Sequence, residues 1–340
     1  MKNVLTYIIS LAVAGGLLWF VFKDIDLKAM FAAIGQAKLG WVGVYAAILL
    51  VAHWVRGLRW GMLLEPVVGH RPTPGDTMLS VLTNYFANLL VPRMGEVTRC
   101  GTMNRLEGVP VNVSLGTVVA ERIFDVVMLV LVIGLTLVLE FDRISELVFG
   151  IFVQKGGNKS RMGLFVLLGV GVAGTVLALF LYNKYKENLR KNALFTKVET
   201  FALGLIDGLL SVRKLRQPGL FVVYTLLIWL LYYVSTYVLF FAMPQTAGLG
   251  LLACLTILMM GSIGMAAPTQ GGLGAFNIMV GSALALYGLT KQDGQTLATL
   301  MLLSQWAVTI IFGGIAFLIV LNRRKKASPE VSAEPVGIGR

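Results

Sequence analysis

The chain has 340 residues, 57% of them hydrophobic and 14% charged, with 29 Lys+Arg against 17 Asp+Glu and a formal charge of +12. Soluble domains average about 25% charged residues, so this composition excludes a water-soluble globular domain and a disordered chain alike. Two cysteines and two histidines also exclude a disulfide scaffold and a multi-histidine metal site. What remains is an all-α polytopic membrane protein. Its basic excess suits loops held at an anionic cytoplasmic leaflet rather than nucleic acid.

The first apolar run, Val4–Phe22, has 19 residues behind a single Lys2. That is longer than a signal-peptide core, and no small-residue cleavage site ends it, so it reads as a retained span. An amphipathic stretch over 24–38 follows, with Leu27, Met30, Phe31 and Ile34 on one helical face. Trp41–Leu64 is a second span. The next apolar segment, Thr77–Pro92, has 16 residues and breaks at Pro92-Arg93-Met94-Gly95-Glu96, where proline and glycine end a helix. Val113–Leu139 and Met162–Tyr182 are spans.

A second amphipathic stretch, about 184–215, carries Leu194, Val198, Phe201, Leu205, Leu209 and Val212 on one face. Gly219–Ala242 spans, and Leu251–Leu289 is broken in its middle by Pro268-Thr269-Gln270-Gly271-Gly272-Leu273-Gly274. Thr296–Leu321 is the last span, and residues 322–340 read as a disordered cytoplasmic tail. Residues 1–321 thus form one membrane domain of six full spans and two broken segments.

Its halves, about 1–140 and 161–321, repeat one order: span, amphipathic stretch, span, broken segment, span. Sixteen residues are short for about 30 Å of hydrocarbon, so Thr77–Pro92 is expected to re-enter as a hairpin rather than to cross fully, a choice that the loop charges do not decide. With both broken segments re-entrant, the halves are inverted copies. Interrupted segments in matching places of two halves mark transporter-like sites. Loop 183–217, with eight Lys/Arg, and Arg323-Arg324-Lys325-Lys326 are cytoplasmic by the positive-inside rule. Both termini then lie inside.

Ionisable groups in a membrane segment are costly, about 2.5–3.5 kcal/mol each at mid-bilayer, so those present are candidates. Arg56 and Arg59 share a helix face in Arg56-Gly57-Leu58-Arg59-Trp60. They either snorkel at the interface beside a belt Trp60 or form guanidinium forks for phosphate. Asn84 and Asn88, at i and i+4, lead to Pro92, Arg93, Gly95, Glu96 and Arg99. A helix starting near Val97 would aim its N–H groups at the break, with Glu96 capping it or balancing Arg93.

Glu121 and Asp125 share a face, and Arg122 can pair with Asp125. Counted from Val113, Glu121 lies about 12 Å along the helix. The group suits a cationic head group, a proton relay or a structural ion network with Arg93 or Arg99. In the second half Pro268, Gln270, Gly271, Gly272 and Gly274 bring backbone amides forward, and Asn277 is the polar side chain beyond. No nucleophile–base arrangement and no metal-ligand spacing is present, so no catalytic residue, metal or cofactor is expected.

Arg-x-x-Arg-Trp closing the second span, Asn-x7-Pro-x-x-Gly-Glu-x-x-Arg, Glu-Arg-x-x-Asp, and Pro-x-x-Gly-Gly-x-Gly in the second half occur in that order. Together they resemble the lysylphosphatidylglycerol synthase transmembrane-region family, over about residues 1–321. The resemblance implies a cytoplasmic-membrane protein of bacteria or archaea that moves a lipid, as in the flippase part of the multiple peptide resistance factor. Two departures stand out. The soluble aminoacyl-transfer domain is absent, so the chain is not expected to make lysyl-lipid. Asn277 also stands where the family often has a glutamate, which weakens any case for a cationic head group.

The leading expectation is a lipid flippase with a polar cleft between two re-entrant hairpins, Arg56, Arg59, Arg93 and Arg99 holding a lipid phosphate. A membrane-embedded transferase on a lipid-linked sugar or amino acid and a small-solute transporter are the alternatives, and a scaffold is the blandest. The expected partners are membrane lipids, with an anionic phospholipid or lipid-linked head group as ligand and no nucleic acid. A homo-oligomer or a lipid-modifying enzyme as further partner stays open.

Overall fold

The computed structural model describes residues 16, 19, 21–91, 94–141, 143, 212, 215–267 and 269–323. Most of the expected span Val4–Phe22, all of Met162–Tyr182, nearly all of the stretch 184–215 and the tail past Arg323 lie outside the described residues, as do Pro92, Arg93 and Pro268. The described residues are helical, with no strand among them.

Helix α1 (Leu27–Gly35) starts where the Asp26 carboxylate accepts the Ala29 N–H at 3.0 Å, a normal N-cap. Helix α2 (Leu39–Val68) has 30 residues and ends at Gly69 in the left-handed region. Helix α3 (Pro74–Leu90) is capped by Thr73 and opened by Pro74; it stops at Leu90 because the residue before Pro92 is pushed out of helical geometry. Helix α4 (Gly95–Glu107) and helix α5 (Val111–Leu139) follow.

In the second half, helix α6 (Pro218–Phe240) precedes helix α7 (Leu251–Ala266) and helix α8 (Ala275–Ala285). A 3-10 turn, Gln270–Gly272, lies between the last two, and Gly271, Gly272 and Gly274 all take positive φ there. Helix α9 (Lys291–Val308) continues through a π segment (Thr309–Gly313) into helix α10 (Gly314–Asn322).

Among the described residues four helices are long and apolar enough to cross a membrane: Leu39–Val68, Val111–Leu139, Pro218–Phe240 and Lys291–Asn322. They match four of the six expected spans, each longer than the sequence suggests or close to it. The chain is a multi-pass membrane protein. Without a hydrophobic drive between helices inside lipid, close backbone approach does the packing. At Gly57 a methyl group would stand 3.1 Å from Met78 N, and at Gly264 it would stand 2.8 Å from Phe276 Cα.

The two long helices α2 and α6 pack on each other. Each broken segment folds into a helix pair, α3 on α4 and α7 on α8, and each pair then leans on the long helix of the other half. Thus α3 packs on the π segment and α10, whereas α7 packs on α5. The open ends of the two pairs are clasped in the same reciprocal way. Arg105, ending α4, donates to the carbonyl oxygens of Val320 (2.9 Å), Leu321 (2.8 Å) and Arg323 (3.0 and 3.2 Å), and Arg323 pairs with Asp76 at the start of α3. At the other pair, Tyr287 past α8 donates to Glu140 at 3.0 Å just beyond α5 and lies 2.7 Å from Thr256 of α7. Arg143 stacks over the Tyr287 ring at 4.7 Å.

Candidate functional site

The ionisable residues flagged in the first half converge. Arg56 and Arg59, one turn apart on α2, face Glu121 and Asp125, one turn apart on α5. Arg56 Nε donates to Glu121 at 2.7 Å and its Nη2 to Asp125; Arg59 Nη2 donates to Asp125 at 2.7 Å and to Glu121 at 3.1 Å. Arg99, from α4, reaches Glu121 at 2.8 Å. Arg56, Arg59, Arg99 and Glu121 are buried.

The arginines therefore do not snorkel. Trp60 is no belt residue either: it is fully buried, donating to Thr117 at 2.9 Å with the Arg99 guanidinium 3.8 Å above its ring. Of the readings open from sequence, the ion network with Arg99 is what the side chains form.

Three guanidiniums around two carboxylates leave one positive charge over. Aromatic faces take up part of it: Trp60 under Arg99, Phe221 under Arg59 at 5.8 Å and Tyr85 beside Arg56 at 5.9 Å. Arg56 Nη1 also donates to the hydroxyls of Tyr85 (2.7 Å) and Tyr232 (3.0 Å). Arg56 and Asp125 are thus heavily engaged inside the protein, and an incoming phosphate meets guanidiniums that already have partners. Arg122 and Glu96 pair at 3.2 Å and stay half exposed. Glu96 accordingly balances Arg122 among the described residues.

The break itself is tighter than the sequence suggests. Helix α4 begins at Gly95, not near Val97, and the Gly95 N–H donates to the Asn88 side-chain oxygen at 2.7 Å. A side chain at Gly95 would overlap the Asn84 carbonyl and the Asn88 amide, so glycine is required by close approach. Asn84 is buried with its side-chain oxygen unpartnered, and Asn88 borders open space.

That space is a cavity of about 610 Å³ joining the two halves. Arg56, Asp125, Arg122 and Glu96 form its charged wall, with Tyr85 and Tyr232 beside them. Its far wall is the second broken segment, where Met265, Ala267, Thr269, Gly271 and Gly272 reach it. Leu129, Leu239, Ile257 and Leu258 give it apolar sides, and Trp229 and Trp306 supply ring surface. The size lies within the range of about 300–1,000 Å³ typical of ligand sites. Gly271 holds the far wall close, its carbonyl accepting from the Trp306 indole at 3.2 Å.

Of the remaining flagged residues, Asn277 lies away from this cavity, donating to Thr299 at 3.0 Å while its carbonyl accepts from Gln295 at 3.2 Å. It joins α8 to α9. The backbone at Gln270 belongs to the 3-10 turn, and Gly274 opens α8. Sequence reading missed His53, Tyr85, Trp229, Tyr232 and Trp306, all on the cavity wall. A signal existed for His53, which sits three residues before Arg56 on the same helix face, and for Tyr85, next to Asn84. Among the described residues no group of His, Cys, Asp and Glu is placed to hold a metal ion.

Comparison with curated proteins and with solved structures gives no match. A family model described as the lysylphosphatidylglycerol synthase TM region matches residues 7–313, which takes in every element that builds the cavity up to the π segment. That family fits a membrane role tied to lipids. The chain belongs to the lysylphosphatidylglycerol synthase transmembrane-region family.

Proposed function

We propose that the protein is a lipid translocator, a flippase-like carrier that takes a lipid head group into the cavity while the acyl chains stay in the bilayer. The observation that supports this reading is the cavity between the two broken segments, with its charged wall on one side and apolar walls beside it. Irregular backbone at membrane depth is tolerated where it lines such a cavity. In this reading the helix pairs α3–α4 and α7–α8 are re-entrant hairpins from opposite faces of a cytoplasmic, inner membrane. The halves are then inverted copies within one domain of six spans, and both termini are cytoplasmic.

The ion network of Arg56, Arg59, Arg99, Glu121 and Asp125 is the rigid floor of the cleft, and Arg122, Glu96 and Asn88 are its exchangeable rim. Membrane lipids are the partners.

The test is transport of head-group-labelled phospholipid in proteoliposomes, followed by chemical quenching of label on the outer leaflet. Ser262→Leu fills the cavity without touching the ion network, and Arg122→Ala strips the rim. Both are expected to slow transport at least about tenfold, a loss typical of an interaction made in the rate-limiting state. Wild-type rates in both variants would overturn the cleft as the route.

A further inference from the structure

Two cavity-lining side chains carry a polar atom that is buried and has no partner. His53 Nδ1 belongs to the first half and Thr269 Oγ1 to the second. Both residues are more than nine-tenths buried. His53 lies against the Tyr85 ring at a centroid distance of 4.4 Å. Buried polar groups without partners are uncommon and unfavourable, and here one stands on each side of a space that the two halves build together.

The charged wall offers little to a free charge. Arg56 and Asp125 are taken up by each other, by Arg59, by Glu121 and by the two tyrosines, and the exposed cation Arg122 is shared with Glu96. The cavity wall holds two cations and two carboxylates, so its formal charge is zero. What has capacity to spare is neutral. The hydroxyls of Tyr85 and Tyr232 each accept from Arg56 Nη1 and hydrogen-bond each other, which leaves one O–H hydrogen of the pair to donate elsewhere. With these go the His53 ring nitrogen, the Thr269 hydroxyl and the side chain of Gln305. Trp229 and Trp306 add flat apolar faces.

Neutral donors and acceptors spread over both walls, between aromatic rings, match a ligand with several hydroxyls and apolar C–H faces. We infer that the cavity selects a polyhydroxylated head group without a positive charge. The hydroxyls come from a glycosyl unit on a neutral lipid or from the terminal glycerol of a phospholipid. This deepens the translocator reading and rests on the cavity being the head-group site.

The experiment uses the purified full chain in mild detergent and measures binding by native mass spectrometry. Three lipids of identical acyl chains serve as probes: monoglucosyl diacylglycerol, phosphatidylglycerol and phosphatidylethanolamine. At least one hydroxylated lipid is expected to bind about tenfold or more tighter than phosphatidylethanolamine. His53→Phe and Thr269→Val are each expected to weaken the preferred lipid about fivefold, the scale of one hydrogen bond, and to leave phosphatidylethanolamine unchanged. Thr269→Ser, which keeps the hydroxyl, should retain wild-type binding and shows that the site still folds.

Preference for the glucosyl lipid names the sugar as source, and preference for phosphatidylglycerol names the glycerol. Equal binding of all three, or no response to Thr269→Val, overturns the inference. Selective binding without transport in proteoliposomes would sink the translocator reading and leave this one standing, whereas transport without selectivity would do the reverse.

Discussion

The guanidinium of Arg99 lies 3.8 Å above the ring of Trp60 while its Nη1 reaches Glu121 at 2.8 Å. One side chain therefore ties α4 to both α2 and α5, and Glu121 becomes the common partner of three arginines. Breaking a buried pair is severe because it strands the remaining charge, about 3–5 kcal/mol. Glu121→Gln should lower the thermal midpoint of the protein in detergent sharply. Arg99→Leu combined with Glu121→Gln should be less harmful than the two single effects added, with a coupling of about 0.5–3 kcal/mol. Additive losses in that cycle would mean that Arg99 and Glu121 do not act together.

Two glycines of α4 make a matched pair. At Gly95 a methyl group would collide with the Asn84 carbonyl and the Asn88 amide, whereas at Gly101 nothing lies within 4 Å. Gly95→Ala should destabilise by about 1–3 kcal/mol, as overpacking does. Gly101→Ala should be neutral or stabilise by up to about 1 kcal/mol through helix propensity. Equal melting temperatures for the two variants would contradict the close approach at the break.

Arg105 holds the carboxyl end of α10 through four donor contacts to three carbonyl oxygens. Arg105→Ala should raise amide exchange in α10 and in the first turn of α3, where Asp76 loses the positioning of Arg323. Arg105→Lys should restore little, because an ammonium lacks the forked donors that bridge neighbouring carbonyls. Hydrogen exchange read by mass spectrometry checks both, and protection unchanged from wild type in the alanine variant would argue against the clasp.

Ahead of the first described helix, Asp24 accepts from Lys291, the first residue of α9, at 2.7 Å, and that hydrogen bond holds its carboxyl below the ordinary value of 3.8. A lowered value in the folded state means the contact favours folding above about pH 4 and fades as pH falls through the lowered value. Both groups are well exposed, so the contribution is small and screened by salt. Exchange at 24–26 should hardly change between pH 7 and pH 5, and Asp24→Asn should mimic what strong acid does. A marked rise by pH 5 would rule out this pair as its cause.

The breaks were legible because proline and clustered glycines act locally: α3 ends before Pro92 and α7 before Pro268. The faces were legible too. Spacings of three and four put Arg56 with Arg59 and Glu121 with Asp125. That those faces meet was not, because Arg56 and Glu121 are 65 residues apart and no local pattern records the pairing. For the same reason the arginines read as free for phosphate from sequence and stand engaged in the fold. Tyr232, 176 residues from Arg56, sits in a uniformly apolar helix where a hydroxyl leaves no periodic trace. Asn277 had the opposite fate: its position beside the glycines suggested the cleft, and it serves instead as a bond between α8 and α9.

The π segment Thr309–Gly313 lies where α3 presses on the last long helix, and a methyl group at Gly313 would stand 2.8 Å from Phe86 Cβ. A π turn is the trace of one residue inserted into an α-helix. Each residue turns an α-helix by about 100°, so this single extra position sets the phase of everything after it. Deleting Ile311 would let α9 and α10 run on as one regular helix, with Arg323 and the carbonyls of Val320 and Leu321 carried about 100° away from Asp76 and Arg105. One residue inside the last long helix thus decides whether its carboxyl end, about 14–18 Å further on at 1.5 Å per residue, can be in register with Asp76 and Arg105 at all.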